Sequence, residues 1–269
     1  MKRTTLFALV FGCLLATTGL TASAQSTDPK ARLQIAKKMF QERCKKAGEF
    51  IHRTAENVEG ILLMKVRPSE INSGDQFRMD DPYGHDSGGE TYIKIFFAGF
   101  YRTPSPPPPR WTPRLGYRYV EAVDSMDGKR YRYTGGIKEV THTTSILMGG
   151  DGKTTFKTKD FVLDKVPTPG VSPRYGVTYD DISTREERDY WIAGSSLKVI
   201  DLKTSEVMAE RIGYMMDRGQ GNKSGGRSPW LLAASHACPA FPKDPGGHTY
   251  QTDQTHDFVV KTLKPKLEN

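Results

Sequence analysis

Leu33, Ala36, Phe40, Cys44, Ala47, Ile51 and Ala55 recur three or four positions apart in "STDPKARLQIAKKMFQERCKKAGEFIHRTAEN", the spacing that gathers an apolar stripe on one face of an α-helix. Asp28 followed by Pro29 supplies the start, a capping carboxylate before a residue whose missing N–H is not needed in the first turn. The pattern predicts a long amphipathic N-terminal helix that carries Cys44 into the core, with His52 beside the stripe.

From Gly60 the period changes. "ILLMKVR", "TYIKIFFAGFY", "LGYRYVEAVD" and "KRYRYTGGIKEV" are rich in β-branched and aromatic residues with partial alternation, which predicts strands. Asp127-Gly128 between the last two is a hairpin turn signal. In "SLKVIDLKTSEVMAERIGYMM" a second hairpin is expected, with Leu197, Val199 and Asp201 inward, Lys198 and Ile200 outward, and Lys203-Thr204-Ser205 at the turn. "YDDISTREERDYWIAG" begins as a strand and becomes a short helix, with Ser183–Glu186 or Thr184–Glu187 as the capping box. The fold class is therefore α+β: a largely antiparallel β-sheet packed by the long N-terminal helix, with short C-terminal helices at "SPWLLAASHAC" and "QTHDFVVKTLK". Two interruptions are expected, a polyproline run at 102–114 and a loop-rich insertion at 141–173 around a possible strand, "KDFVLDKV".

The first 24 residues change the picture of where this fold works. Lys2 and Arg3, an apolar run from Leu6 to Leu20, and Ala22-Ser23-Ala24 before Gln25 read as a secretory signal peptide. Cys13 would serve a lipoprotein site, but Phe11 fits one poorly and the apolar run continues past it. Residues 25–269 are expected to form a single domain, and nothing in them matches the ~20 apolar residues of a membrane span. Without Lys2 and Arg3 the formal charge of +8 becomes +6, a basic surface that attracts acidic partners. A periplasmic location argues against nucleic acid. Two of the three cysteines then remain, Cys44 and Cys238, and in an oxidising compartment such a pair is expected to form one disulfide joining the two ends. Two separate buried thiols are the alternative.

Candidate chemistry is sparse. "DDPYGHDSGGE" at 80–90 concentrates acids, His85 and glycines, yet Asp80-Asp81-Pro82 and Gly88-Gly89 are ordinary turn builders, and the alternating ligands of a calcium loop are missing. There is no G-x-S-x-G, H-E-x-x-H or C-x-x-C. His142, His236, His248 and His256 stand at no metal-binding interval, so neither a metal nor another cofactor is expected. Asp180, Asp181, Glu186, Glu187 and Asp189 read as a capped helix start with Arg185 and Arg188 available to neutralise it. In "DRGQGNKSGGRSPWLLAASHACP", glycines alternate with Arg218, Lys223 and Arg227, a basic loop whose amides could cradle a phosphate or a carboxylate.

The runs "RCKKAGEFIHRTAENVEGILLMKVRP", "DQFRMDDPYG", "RYGVTYDDISTREERDYWIAGSSLKVIDLKTSEVMAERIGYMMD" and "GNKSGGRSPWLLAASHACPAFP" resemble a family of exported proteobacterial proteins found beside antibacterial type VI secretion effectors, particularly lipase-like ones. These are candidate immunity proteins. The resemblance covers most of residues 25–269 outside the proline run and 141–173, and it carries no functional residues across. It implies a periplasmic, non-enzymatic protein that neutralises an effector by covering it. Aromatic and arginine anchors would supply such affinity, which points to Tyr214, Arg218, Lys223, Arg227 and Trp230, with Tyr83 and His85 as a second patch. Two rival expectations are an exported hydrolase assembled from Asp80, Asp81, His85 or the 180–187 carboxylates, and a structural protein of the cell envelope.

Overall fold

The structure, a computed structural model, describes residues 28–69, 76–77, 82–83, 86–100, 114–241 and 251–267. The first half comprises α1 (Pro29–Cys44), β1 (Gly48–Ile51), β2 (Ala55–Val58), β3 (Gly60–Leu63), α2 (Gly89–Lys94), β4 (Tyr119–Val123) and β5 (Arg130–Thr143). There follow β6 (Thr155–Pro167), β7 (Tyr175–Asp181), α3 (Arg185–Asp189), β8 (Ile192–Asp201), β9 (Glu206–Met216), α4 (Pro229–Ala233), β10 (Ala237–Cys238), α5 (Gln251–Thr262) and β11 (Leu263–Pro265). The result is an α+β protein in which helices are the minority. Its main sheet runs β1-β9-β8-β7-β3-β4-β5-β6, with β10 also on β9, and β11 pairs with β2 separately. Pairing is mostly antiparallel, although β3 lies parallel to both of its neighbours, β4 and β7.

Alternation along β8 and β9 separates two cores. Leu197, Val199 and Asp201 are buried while Lys198 and Ile200 are partly exposed, as the hairpin pattern predicts. Leu197 and Val199 join Tyr92, Phe96, Phe258 and Val259, so α2 and α5 cover that face. Ile192, Tyr214 and Met216 point the other way and pack with Ala36, Met39 and Phe40 of α1. α1 thus covers one end of the sheet.

The expected helix through Ala55 stops at Cys44. Asp28 caps its start, accepting from the amides of Lys30 and Ala31, but after the Lys45-Lys46 turn the chain pairs with β9 from Gly48↔Ile212 to Ile51↔Ala209. The apolar spacing beyond Cys44 serves strands as well as a helix, and sheet pairing decides. "TYIKIFFAGFY" shows the reverse: a strand by composition, it folds as α2 and a following turn. Tyr92, Ile93, Phe96 and Phe97 are all buried, the spacing of a helical face.

Of the insertion expected at 141–173, the strand "KDFVLDKV" is present as part of β6, but instead of a loop-rich stretch around it the chain forms a hairpin. β4 reaches β5 only from Val120↔Tyr133 to Val123↔Arg130, whereas β5 and β6 continue together from Thr134↔Asp164 to Thr143↔Thr155. Those ten rungs form a two-stranded arm about 33 Å long at ordinary strand rise. The proline run lies outside the described residues apart from Arg114, as does the 1–24 segment.

At the opposite end of the sheet, β1 and β10 lie on the same edge of β9. The Cys44–Cys238 disulfide, 194 positions apart, therefore ties the end of α1 to β10 across that edge. Among the described residues no helix is long and apolar enough to cross a membrane.

Candidate functional site

The residues expected to form a contact surface divide by burial. Tyr214 lies under α1 in the second core. Trp230 packs against Trp191 at 5.0 Å between ring centroids, with the Arg188 guanidinium 5.3 Å from its ring. Tyr83 covers Gly213, where a Cβ would fall 2.2 Å from the tyrosine hydroxyl, and that hydroxyl donates to Gln254 Oε1 at 3.0 Å. All three rings are interior, so they build the protein and present no contact surface here. His85 lies outside the described residues.

The glycine-rich basic loop does cradle a carboxylate, but the carboxylate is its own. Buried Asp217 accepts from the amides of Gly219 at 3.0 Å and Gly221 at 2.8 Å, and both terminal nitrogens of Arg227 pair with it. The anion site is filled from within, and Arg227 is committed to it. Arg218 and Lys223 remain exposed. Arg218 Nη1 lies 3.1 Å from His236 Nε2, and partial burial with the adjacent guanidinium pushes the His236 pKa down. That direction favours the neutral ring, which accepts the hydrogen bond when its proton is on Nδ1.

The carboxylates near 180–189 are partnered one by one except for exposed Glu186. Glu187 completes a capping box with Thr184 and, buried, pairs with Arg43 of α1. Arg188 goes to Asp181, Lys198 to Asp180 at 3.1 Å, and Arg185 to Asp189 at 4.0 Å. The arginines thus reach Asp181 and Asp189 instead of the glutamates, and the remote Arg43 neutralises Glu187. This is helix-start and clasp chemistry, with no free acid/base pair in it. Asp86 anchors α5 by accepting from Thr252 N and Oγ1, each at 3.1 Å, and burial pushes its pKa up. Among the described residues no three His, Cys, Asp or Glu side chains gather as a metal site. Asp80, Asp81 and His248 lie outside them.

What the sequence reading missed is the tip of the β5–β6 arm. Ile146, Leu147 and Met148 are 73, 99 and 89 % exposed, three consecutive large apolar side chains in water. The loop beneath them is closely built. Thr144 N donates to Thr154 O at 2.8 Å, Met148 N to Ser145 O at 3.1 Å and Gly150 N to the same oxygen at 2.8 Å. Gly149 turns the chain at φ +81°. The Asp151 carboxylate accepts from the amides of Lys153 and Thr154 and from the hydroxyls of Thr144 and Thr154. Those hydrogen bonds hold its pKa well below the usual carboxylate range. Along the arm, Lys138–Asp164 and Lys157–Glu139 pair across the strands, and residues 134–164 carry four lysines against four acids. The arm is electrically balanced, so the apolar tip is its distinguishing chemistry. The sequence signal is the triplet "ILM" directly before the turn run "GGDG".

No family model, curated protein or solved structure matches this chain.

Proposed function

We propose that this protein is an exported, non-enzymatic binding protein that neutralises a partner protein, with the β5–β6 tip as a knob that enters an apolar cleft on the partner. The observation that carries the reading is the exposure of Ile146, Leu147 and Met148 on a loop pinned by Asp151. Fully burying each such side chain is worth about 1.5–3 kcal/mol, so roughly 4.5–9 kcal/mol is available from the three. Because Asp151 already orders the loop, little of that gain is lost to fixing it on binding.

Export is supported by the 1–24 segment and by the Cys44–Cys238 disulfide, which suits an oxidising compartment. The resemblance to candidate immunity proteins supplies the partner class, a secreted antibacterial effector of the lipase-like kind. A lipase has to hold an acyl chain, and an acyl-binding cleft is the concave apolar surface that a knob of Ile, Leu and Met fits.

The test is capture of partners from periplasmic extract of the source organism, followed by titration of the captured protein with wild type and with I146S/L147S/M148S. The variant should keep its circular dichroism and melting temperature and bind at least on the order of 1000-fold more weakly, and wild type should inhibit the partner's ester hydrolysis. Unchanged affinity in the variant, or the absence of any stoichiometric protein partner, would overturn the proposal.

A further inference from the structure

α1 and the turn after it, residues 28–46, carry seven basic residues against Asp28 and Glu42. The arginines turn inward. Arg32 donates to the Asp189 carbonyl and sits 4.9 Å over the Tyr190 ring, and Arg43 pairs with buried Glu187. The lysines turn outward: Lys30, Lys38, Lys45 and Lys46 are exposed and Lys37 is half-buried. Lys30, Lys37 or Lys38, and Lys45 recur at two-turn intervals, so they form one stripe along the helix. The two acids offset part of it: Asp28 is engaged in capping, and Glu42 pairs with Lys45 at 2.7 Å and also attracts Lys38.

We infer that this lysine stripe is a docking surface for an anionic phospholipid bilayer, a second binding function separate from the arm. Protein interfaces are depleted in lysine and enriched in tyrosine, tryptophan and arginine, and the outward face of α1 has none of those three. Flexible, strongly hydrated ammonium groups match a diffuse layer of headgroup phosphates better than a single pocket. Ile35, 39 % exposed, lies one turn before Lys38 and adds a shallow apolar contact at the headgroup level. Position agrees with the chemistry. α1 packs on β9, five strand spacings from β5, or about 24 Å.

The experiment is co-sedimentation of the purified exported protein with phosphatidylcholine vesicles, with and without roughly one-third phosphatidylglycerol. Wild type should bind only when phosphatidylglycerol is present and release as salt shortens the Debye length to a few ångströms. At about fivefold per lysine, K30Q/K37Q/K38Q/K45Q should lower partitioning at least a hundredfold, whereas K30R/K37R/K38R/K45R and I146S/L147S/M148S should bind like wild type. Equal binding to neutral vesicles, loss of binding in the tip variant, or full binding by the glutamine variant would overturn the inference. So would a glutamine variant that loses an acidic protein partner while wild type ignores vesicles. The tip variant separates this result from the proposal for the arm, because each set of substitutions leaves the other surface intact.

Discussion

Asp201 shows how single residues set the pH response. It is fully buried, and Arg53 and Arg174 each donate to its carboxylate at 2.8 Å. Those hydrogen bonds, with Arg174 first, hold its folded pKa well below the ordinary 3.8. A lowered folded pKa means that the stability it contributes is present above pH 3.8 and is lost as pH falls below it. Asp86 has the opposite sign, because burial raises its pKa and its ionisation opposes folding as pH rises. The Asp201 arrangement is expected to govern acid stability: melting temperature should drop steeply from pH 4 toward 2, and D201N should melt lower at pH 7 but with a flatter acid slope. Identical slopes in the two proteins would refute that role. The inward direction of Asp201 was legible from its alternation with Lys198 and Ile200. Its arginine partners, 148 and 27 positions away, were not. The same limit explains Tyr83 and Trp230, since an aromatic in or beside a glycine-rich stretch has no local period to say whether it faces solvent or core; Tyr214, on β9, is buried by α1, whose position the strand pattern does not give.

Among elements, those specified by local rules were readable, and those decided by pairing were not. The Asp127-Gly128 hairpin, the Thr184–Glu187 capping box and the disulfide partners follow from short-range chemistry or cysteine count. The length of α1 and the helical state of α2 were settled by distant partners, β9 in one case and the aromatic core in the other. The arm was the largest miss, because glycine and threonine dilute the alternation of β5 and β6, and burial is confined to its base at Phe161 and Leu163. That dilution has a dynamic consequence. A two-stranded ribbon without a third strand is marginal by itself, so amides from 135 to 164 should exchange with solvent well before those of β8 and β9. Within the arm, the Asp151 hydrogen bonds should protect the amides of Lys153 and Thr154. Hydrogen-exchange mass spectrometry of D151A should show that protection lost at 144–154 and β7–β9 unchanged. Equal protection in D151A would mean that the tip is not held by this carboxylate.

On the scale of the whole molecule, the sheet has two unlike ends. At one, α1, β1 and β10 are fastened around β9 by Cys44–Cys238, by Arg43–Glu187 and by the α1 core. At the other, the arm leaves the sheet with Phe161 and Leu163 holding its base to the main core and, beyond them, only its own rungs. Closing a loop of 194 positions removes about 5 kcal/mol of unfolded-state entropy in the chain-entropy picture. Loss of the bond, by reduction or by C44A/C238A, should therefore cost roughly 2–5 kcal/mol and lower the melting temperature by roughly 5–15 °C for a chain this size. The damage should also be local, because the bond fastens only one end. Exchange should rise in 29–51 and 237–238, while the arm keeps its wild-type exchange and its affinity for a captured partner. An unchanged melting temperature would show that the end is held without the bond, and arm exchange rising in step with α1 would show that the two ends unfold as a single unit.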